Sequence, residues 1–392
     1  MSVWMHRIET AVPEHCYSQA EIGRQMVEWT EDERDQRLVR MLYRSSGIES
    51  RHSVIPDLGA NFLIRDGQGS FRQQSTAERN AIYSREASKL AVELGRKLLA
   101  AAPEFPASQI SHVITASCTG FFNPGIDYLL CQELGLPGNT QRYHLGFMGC
   151  YAAFPALNMA TQFCRANPNA VVLVMCLELC TLHLQINGAE DTILANSLFA
   201  DGAGAVLVSA RPPEPGSTAY RICDFESALI PSGVGAMAWS IGEQGFDISL
   251  SSYVPKIIGA GIGEVLQPLL TRNALSGQEV QRWAVHPGGK SIIDKVAASL
   301  ELSPHQVQPS RDVLRDYGNM SCVTILFVLK ETLQVATARL APFPPLGEGR
   351  EEGESAAGGS ARRMGDGDKV CAIAFGPGLT VEMGLLQIDR TP

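Results

Sequence analysis

The chain lacks an excess of basic residues, a signal peptide and any long apolar run. Its 392 residues include 32 Lys and Arg against 41 Asp and Glu, which gives a formal net charge of −9. Binders of nucleic acids or anionic membranes usually carry the opposite sign, so both kinds of partner are disfavoured. No stretch approaches the roughly 18 apolar residues of a membrane span, and the N-terminus lacks a cationic start before an apolar run. We therefore expect a cytoplasmic protein.

The ten cysteines lack the spacing of a disulfide framework or of a metal site. No CxxC pair occurs, and the thiols are scattered, mostly inside apolar runs. Cys176 and Cys180 could share one face of a strand, but no second ligand pair lies near them in the sequence. The pattern therefore favours reduced thiols, with no metal ion and no organic cofactor.

Short buried strands alternate with helices along the chain. The β-branched runs at 110–118 and 169–178 predict two such strands, and the second half of the chain repeats the same rhythm. This alternation predicts a layered α/β fold of two similar halves, which we place at 1–215 and 216–392. The stretch 341–367 differs, because it is rich in Pro, Gly, Glu and Ser, and we expect a mobile surface loop there.

Cys150 lies between Gly149 and a predicted apolar helix, in the stretch FMGCYAAFPALNMATQF. The first N–H groups of a helix are unpaired and its dipole is positive there, so a thiol at this point is favoured as the nucleophilic thiolate. Gly149 lets the backbone turn sharply before it. The alternative interpretation is that Cys150 is a small core residue without a chemical role.

His286 and Asn319 lie at two similar junctions in the second half. The predicted strand RWAVH ends at His286, and Asn319 follows Gly318 in front of a predicted apolar helix over 319–336. His286 could donate to an oxyanion or hold the thiolate in an ion pair, and Asn319 offers an amide donor. Each also has a plainer interpretation, because histidine fits a turn and asparagine is a preferred helix N-cap.

A thiol and two neutral donors together suit the chemistry of thioesters. The Cys150 thiolate would attack an acyl thioester and keep the acyl group. His286 and Asn319 would stabilise the enolate that forms when a malonyl thioester loses CO2, and this carbanion would attack the held acyl group. The thioester supplies the activation and the loss of CO2 drives the step, so no cofactor is required.

Six motifs in order along the chain support this interpretation. They are CTGFFNPGIDYLL (118–130), FMGCYAA (147–153), SLFADGAGAVLV (197–208), WAVHPGGKSIID (283–294), YGNMSC (317–322) and FGPGLTVE (375–382). Over nearly its whole length the chain resembles the type III polyketide synthases, the chalcone-synthase-like branch of the thiolase superfamily. The resemblance implies a thiolase-like five-layered αβαβα fold, a homodimer, and acyl-CoA and malonyl-CoA as substrates. It also implies that Cys150 is the nucleophile and that His286 and Asn319 form the oxyanion hole.

The same resemblance implies which residues shape the cavity. Phe199 matches the family's gatekeeper aromatic, whereas Ile248 stands where a second gatekeeper Phe aligns, which would widen the throat. Cys118, Cys180 and His183 stand where plant members carry small hydroxyl residues, so we expect an aliphatic starter. The other implied positions are Thr119 and Ser321 for substrate binding, the turn Gly376, Pro377 and Gly378, and Asn123 facing the cavity of a partner subunit.

The implied CoA-binding segment is MLYRSSGIESRHSV, in which Arg44 and Arg51 would meet the CoA phosphates. Glu49 stands where plant members carry Lys, and an acidic residue at a phosphate site lowers affinity. Two routes of delivery therefore stay open, free CoA thioesters and acyl groups carried by an acyl carrier protein.

The leading functional hypothesis is a type III polyketide synthase that extends an aliphatic starter with malonyl units to an alkylpyrone or alkylresorcinol. The nearest alternative is a stand-alone ketosynthase that performs a single condensation on CoA or a carrier protein. A Cys-His-Asn thiol protease is disfavoured, because FMGCYAA and HPGGKSIID lack the local signatures of that class. A non-catalytic scaffold would be expected to have lost one of the three residues.

Overall fold

A computed structural model of the chain describes residues 1–59, 63–65, 71–338 and 365–391. The predicted loop 341–367 lies outside the described residues up to 364. The strands are β1 (Val3–Ala11), β2 (His15–Ser18), β3 (Ser50–Ser53), β4 (Leu63–Arg65), β5 (Phe71–Gln73), β6 (His112–Ser117), β7 (Gln141–Gly146), β8 (Val171–Leu179), β9 (Asp201–Ser209), β10 (Thr218–Leu229), β11 (Met237–Gly242), β12 (Gly245–Leu250), β13 (Arg282–Val285), β14 (Lys369–Gly376) and β15 (Thr380–Arg390).

The helices lie between these strands, as the alternation in the sequence predicts. They are α1 (Gln19–Trp29), α2 (Glu33–Ser45), α3 (Thr76–Ala100), α4 (Ile126–Glu133), α5 (Ala153–Ala166), α6 (Glu190–Leu198), α7 (Val254–Arg272), α8 (Lys290–Ser299), α9 (Gln308–Tyr317) and α10 (Thr324–Ala338). α3 begins at a capping box in which the Ser75 hydroxyl accepts from the Glu78 N–H and the Glu78 carboxylate accepts from the Ser75 N–H. No helix in the described part of the chain is long and apolar enough to cross a membrane.

Nine strands form one mixed sheet in the order β13–β14–β15–β10–β1–β9–β8–β6–β7. In the N-terminal part, β6 runs parallel to β7 and β8, and β9 and β1 follow in antiparallel pairing. In the C-terminal part, β13 runs parallel to β14, and β15 and β10 follow in antiparallel pairing. The two parts meet where β1 pairs with β10. Each part therefore repeats the same strand pattern.

Successive side chains of a strand point to opposite faces of the sheet, so each part of the sheet contributes to two cores. In β8, Val172 and Val174 belong to the core that contains α5 and α10, whereas Val171 and Leu173 belong to the core that contains α3 and α4. The C-terminal part packs its other face against α7 and α8. The layers therefore follow one another in the expected αβαβα order. They are outer helices, the N-terminal part of the sheet, the central helices α5 and α10, the C-terminal part of the sheet, and the outer helices of the C-terminal part.

Element ends position the expected functional residues. β6 ends directly before Cys118, α6 ends directly before Phe199, and β13 ends directly before His286. Phe199 in turn forms a parallel bridge with Asn319. Residues from both parts of the sheet are thereby brought to one place.

Two predicted helix starts are wrong. α5 begins at Ala153, because residues 149–154 form tighter turns in which the Ala152 N–H donates to Gly149 O and the Phe154 N–H to Tyr151 O. α10 begins at Thr324, because the backbone of Asn319 is engaged in its bridge to Phe199. Cys150 is therefore a turn residue, and Asn319 is not the N-cap of α10.

Candidate active site

One cavity of about 510 Å³ is lined by the three residues with predicted catalytic roles. Cys150 reaches it from the turn before α5, His286 from the end of β13, and Asn319 from the segment bridged to Phe199. His286 and Asn319 are 1% and 2% exposed, so their polar groups face the cavity and not bulk solvent. A thiol and two hydrogen-bonding side chains therefore surround one enclosed space.

The turn that carries Cys150 is pressed against the turn after β14. Gly149 has φ of +87°, and a Cβ at this position would clash with Pro377 Cδ. A Cβ on Gly376 would clash in the same way with the ring of Tyr151. The two glycines therefore allow the two parts of the chain to approach closely at the nucleophile.

The Cys150 thiol is buried and lies before the start of α5. Burial raises its pKa to about 12, and the negative charge of Glu178 acts in the same direction, whereas a hydrogen bond with the Ser321 side chain opposes the shift. The nearest helix start, Ala153, is three residues further along the chain. Cys150 therefore precedes the helix start, and stabilisation of its thiolate by the helix dipole stays a prediction. The thiolate needs a group that takes its proton.

His286 is fixed by its backbone, and its ring is left free. Its N–H donates to Ile373 O at 2.8 Å, which continues the pairing of β13 with β14. Neither Nδ1 nor Nε2 has a hydrogen-bond partner among the described residues. Burial lowers the pKa of the imidazole to about 3, so the isolated ring is neutral at pH 7, with one donor and one acceptor nitrogen. The ring can accept the Cys150 proton or donate to a substrate oxygen.

The side-chain amide of Asn319 is oriented by two hydrogen bonds. The Ser321 N–H donates to Oδ1 at 2.9 Å, and Nδ2 donates to Gly288 O at 3.3 Å. Gly288 lies two residues after His286, so the amino group of Asn319 is turned towards the loop that carries the imidazole. Two N–H donors can therefore meet one oxygen atom in the cavity.

Glu178 on β8 is a buried carboxylate beside the cavity that the sequence analysis did not single out. Its Oε2 accepts from the Cys118 N–H at 2.9 Å and from the Thr119 hydroxyl at 2.8 Å, and its Oε1 accepts from the Cys322 thiol at 3.1 Å. Burial raises the pKa of this carboxyl. Glu178 thus ties the loop after β6 to the turn before α10. A lone acidic residue in the apolar strand VVLVMCLEL was the available signal.

The other thiols near the site are held in protonated form. All ten cysteines are free, and burial raises the pKa of Cys118, Cys180 and Cys322 well above the usual value. Across residues 1–59, 63–65, 71–338 and 365–391, no group of three or more His, Cys, Asp or Glu is placed to hold a metal ion.

Most of the predicted cavity positions line the cavity. They are Cys118, Thr119, Cys180, Phe199, Ile248, Ser321 and Pro377. Gly376 and Gly378 are not lining residues; they shape the turn around Pro377, in which Gly378 has φ of +73°. Asn123 is exposed on the loop before α4 and does not line the cavity of its own chain.

Trp239 closes the wall beside Ile248, and the sequence analysis missed it. β11 and β12 form a hairpin in which Trp239 lies opposite Ile248. The indole Nε1 donates to Cys118 O at 3.2 Å, and the indole centroid lies 6.4 Å from that of Phe199. The expected widening at Ile248 is therefore offset by an aromatic ring across the hairpin. The signal was the turn GEQG between two alternating segments, which sets this register.

His183 does not line the catalytic cavity, contrary to expectation, but lies behind Trp239. Its Nε2 bonds to Thr119 O at 2.8 Å, and its Nδ1 accepts from the Phe246 N–H at 3.0 Å, which assigns the neutral tautomer with hydrogen on Nε2. Burial lowers the pKa of this imidazole to about 3. His183 lines a second cavity of about 40 Å³, whose wall towards the catalytic cavity includes Cys180 and Trp239.

Arg51 cannot meet CoA phosphates, contrary to expectation, because it is only 4% exposed. Its Nη1 donates to the carbonyl oxygens of Asn196 and Phe199 at 2.8 and 2.6 Å, so it supports the gatekeeper segment from behind. Arg44, in contrast, is exposed in the last turn of α2, next to the lining residue Ser45.

Further cations lie on α2 and α8, two elements that contribute residues to the cavity lining. Arg37, Arg40 and Arg44 lie on one exposed face of α2, at helical spacings of three and four residues. Lys290, at the start of α8, is exposed and lines the cavity. The sequence analysis considered only Arg44 of these four, because the helix face is not visible without the bounds of α2.

Both parts of the chain match family models. Residues 3–212 match the N-terminal domain of chalcone and stilbene synthases, and residues 224–388 match the C-terminal domain of the same enzymes. The alpha-pyrone synthesis polyketide synthase-like Pks18 of Mycobacterium tuberculosis is 30% identical over 389 residues, which cover 98% of this chain and 90% of that protein. The 3,5-dihydroxyphenylacetyl-CoA synthase of Amycolatopsis balhimycina is 30% identical over 389 residues, which cover 97% of this chain and 91% of that protein.

Solved structures agree with these matches. The 1,3,6,8-tetrahydroxynaphthalene synthase of Streptomyces coelicolor aligns with a TM-score of 0.83 and 27% identity, over 99% of this chain and 100% of that one. PKS-I of the brown alga Ectocarpus siliculosus aligns with a TM-score of 0.86 and 26% identity, over 98% of each chain. The chain therefore belongs to the chalcone and stilbene synthase family, the type III polyketide synthases, which are acyltransferases with a thiolase-like fold.

Proposed function

We propose that this type III polyketide synthase holds an aliphatic acyl starter on Cys150, extends it with malonyl units, and releases an alkylpyrone or alkylresorcinol. The observation that carries the proposal is the single cavity in which Cys150, His286 and Asn319 meet a largely apolar lining. Its apolar members include Leu42, Leu194, Met237, Leu250, Val254, Ile292 and Phe375. Such a lining favours an alkyl chain over a hydroxylated aromatic starter. The alpha-pyrone activity in the name of the mycobacterial relative supports the same product class.

Acyl loading begins with transfer of the Cys150 proton to the neutral His286 ring. Burial disfavours each isolated charge, but this transfer leaves the net charge of the cavity unchanged and produces an attracting pair. The thiolate attacks the starter carbonyl, the bond from Sγ to carbon forms, and the carrier thiol leaves with the proton from His286. The hydrogen bond with Ser321 steadies the sulfur.

Extension uses the two donors on the opposite side. The carbonyl oxygen of a malonyl thioester accepts from the His286 ring N–H and from Asn319 Nδ2. As CO2 leaves, negative charge develops on this oxygen, and donors already in place stabilise the enolate. The enolate carbon attacks the acyl carbonyl on Cys150, the bond from Sγ to that carbon breaks, and the longer chain is then a thioester of the carrier. The released Cys150 thiolate attacks this thioester and takes the chain back for the next cycle, while the carrier leaves as its thiol with a proton taken up from water.

The exposed cations on α2 and at the start of α8 support recognition of the phosphates on the acyl carrier. All four of these side chains are exposed: Arg37, Arg40, Arg44 and Lys290. Arg37 Nη1 also lies 3.7 Å from Glu33 Oε2. We propose acyl-CoA as the usual donor, with Arg44 as a phosphate contact. Delivery by an acyl carrier protein is the second route, because its phosphopantetheine arm presents a phosphate of the same kind.

The test is a product assay with purified enzyme, malonyl-CoA and acyl-CoAs from butyryl to stearoyl, with the mass of the intact protein recorded in parallel. An acyl adduct on Cys150 together with pyrone or resorcinol masses is the expected result. A product extended only once would favour the stand-alone ketosynthase instead. If no acyl-CoA gives an adduct, CoA delivery is excluded, and acylated carrier protein becomes the substrate to assay.

The proposal includes a homodimer in which Asn123 faces the cavity of the second subunit. The exposure of Asn123, which does not reach its own cavity, is compatible with that position. Sedimentation velocity at micromolar concentration should give the mass of two chains. A monomer under these conditions would contradict this part of the proposal.

A further inference from the structure

Cys118 uses all three of its polar groups, and each hydrogen bond leads to a different part of the site. Its N–H donates to Glu178 Oε2 at 2.9 Å, and its carbonyl oxygen accepts from Trp239 Nε1 at 3.2 Å. Its sulfur accepts from the Gly149 N–H at 3.0 Å. The residue is 3% exposed, so these bonds form away from bulk water, where a lost partner is costly.

The bond to the sulfur reaches the residue directly before the nucleophile. Gly149 adopts φ of +87° in the turn before α5, and its N–H points out of that turn to the Cys118 sulfur. Without this acceptor the Gly149 N–H, which is partly buried, would lose its hydrogen bond, and the turn would shift to find another partner. The position of Cys150 Sγ therefore depends on the side chain at 118.

We propose that Cys118 is a positioning residue for the nucleophile, whose sulfur anchors the Gly149 amide and so fixes Cys150 relative to His286 and Asn319. The inference rests on the proposed role of Cys150 as acyl carrier. It goes beyond the expectation that Cys118 only lines the cavity. Because residue 118 also anchors Trp239, it connects the wall that meets the starter to the turn that carries the nucleophile.

Two substitutions at 118 and one matched control separate positioning from lining. Cys118→Ala removes the acceptor, whereas Cys118→Ser supplies a new one, and its shorter side-chain bond lets the hydroxyl accept from Gly149 without crowding. Cys180→Ala removes another buried, cavity-lining thiol. Among the described residues, the Cys180 sulfur makes no hydrogen bond to the turn at 147–151. The Cys180→Ala variant therefore reports the effect of losing a lining side chain alone.

The measured quantity is the saturating rate at which decanoyl-CoA acylates Cys150 without malonyl-CoA, followed by intact mass. Cys118→Ala should lower this rate by about 10-fold to 100-fold, because a displacement of about 1 Å between reacting atoms can cost that much. The half-saturating concentration should change by less than about threefold, since ground-state binding is retained. Cys118→Ser should recover most of the loss, and Cys180→Ala should lose much less than Cys118→Ala.

A second readout keeps the inference independent of the substrate. Iodoacetamide alkylation of Cys150, located by peptide mass, should follow the same order of variants, and melting curves should show that all three are folded. Equal damage from Ser and Ala would overturn the inference, as would a loss that varies with starter length. If no acyl-CoA acylates the wild-type enzyme, the CoA route of the proposed function is excluded, while the alkylation order still tests the positioning role.

Discussion

The nucleophile side and the donor side of the cavity are held in different ways. On the nucleophile side, Glu178 accepts hydrogen bonds from four residues, and the Cys118 sulfur accepts from Gly149. On the donor side, both ring nitrogens of His286 lack a partner in the described part of the chain, and Asn319 Nδ2 has one long contact of 3.3 Å. Groups that position are satisfied by the protein, whereas groups that bind the substrate oxygen keep their capacity free.

This difference has an energetic meaning. Each unpaired buried polar group costs about 1–3 kcal/mol of stability, and the protein bears this cost at His286 and not at Cys118. A thioester or enolate oxygen that reaches His286 recovers it in the bound state. In the proposed mechanism, the donors are therefore preorganised for the charge that develops during the loss of CO2. The substitutions below change different parts of this arrangement.

Cys150→Ala should have the largest effect, because it removes the acyl-holding atom and leaves the donor side intact. Condensation products should disappear, while slow decarboxylation of malonyl-CoA to acetyl-CoA should continue through His286 and Asn319. Chromatography with mass detection measures both products in one reaction. Extended product from this variant would show that the nucleophile has been wrongly assigned.

His286→Ala should affect both sides, because the ring is proposed to take the proton and to donate to the enolate. Malonyl-CoA decarboxylation should fall about 10²-fold to 10³-fold, the usual cost of losing one oxyanion donor. The alkylation rate of Cys150 at pH 7 should also fall. Burial raises the pKa of the thiol to about 12, and the variant lacks the group that accepts its proton.

The pH dependence distinguishes these two roles of His286. In His286→Ala the thiolate fraction should rise by about tenfold per pH unit throughout the alkaline range, because the pH stays below the raised pKa. In the wild type, alkylation should already be fast near neutral pH. Identical pH profiles for the two proteins would mean that His286 does not accept the Cys150 proton, which leaves it the donor role alone.

Asn319→Asp should have a smaller and more selective effect. A carboxylate of nearly the same shape repels the developing enolate, so decarboxylation should fall by about 10²-fold, while acylation of Cys150 should fall much less. The comparison uses CO2 release and intact mass on one preparation, with Asn319→Ala as the uncharged control. Equal losses in both steps would indicate that Asn319 acts mainly through the bond between Oδ1 and Ser321.

The sequence predicted which functional candidates stand at the ends of elements better than it predicted the contacts around them. Cys150 and Asn319 stand out because each follows a glycine at a junction, and His286 because it ends a strand before Pro287 and two glycines; all three are local signals. The start of α5 at Ala153 was not predictable, because the turn before it is set by close packing between Gly149 and Pro377 from distant parts of the chain. Local patterns therefore located the site, and long-range contacts set its geometry.

Burial explains the errors at Arg51 and His183. The resemblance to the family had implied that Arg51 meets the CoA phosphates and that His183 lines the cavity. In the structure Arg51 donates to backbone carbonyl oxygens behind Phe199, and both ring nitrogens of His183 are engaged by backbone groups. A single sequence carries no signal for such pairing, because the partners lie on other elements.

The smallest expected effect concerns the wall that the nucleophile side holds in place. Trp239→Ala should join the catalytic cavity to the second cavity of about 40 Å³, because the indole lines both. The preference for longer over shorter acyl-CoAs, as a ratio of kcat/KM values, should then rise about tenfold, the usual order for added room in an apolar pocket.

Trp239→Phe keeps a ring but loses the bond to Cys118 O, so it should retain the starter preference. If the phenylalanine variant changes the preference as much as the alanine variant, the hydrogen bond to Cys118 sets the wall. If neither changes it, the starter does not reach Trp239.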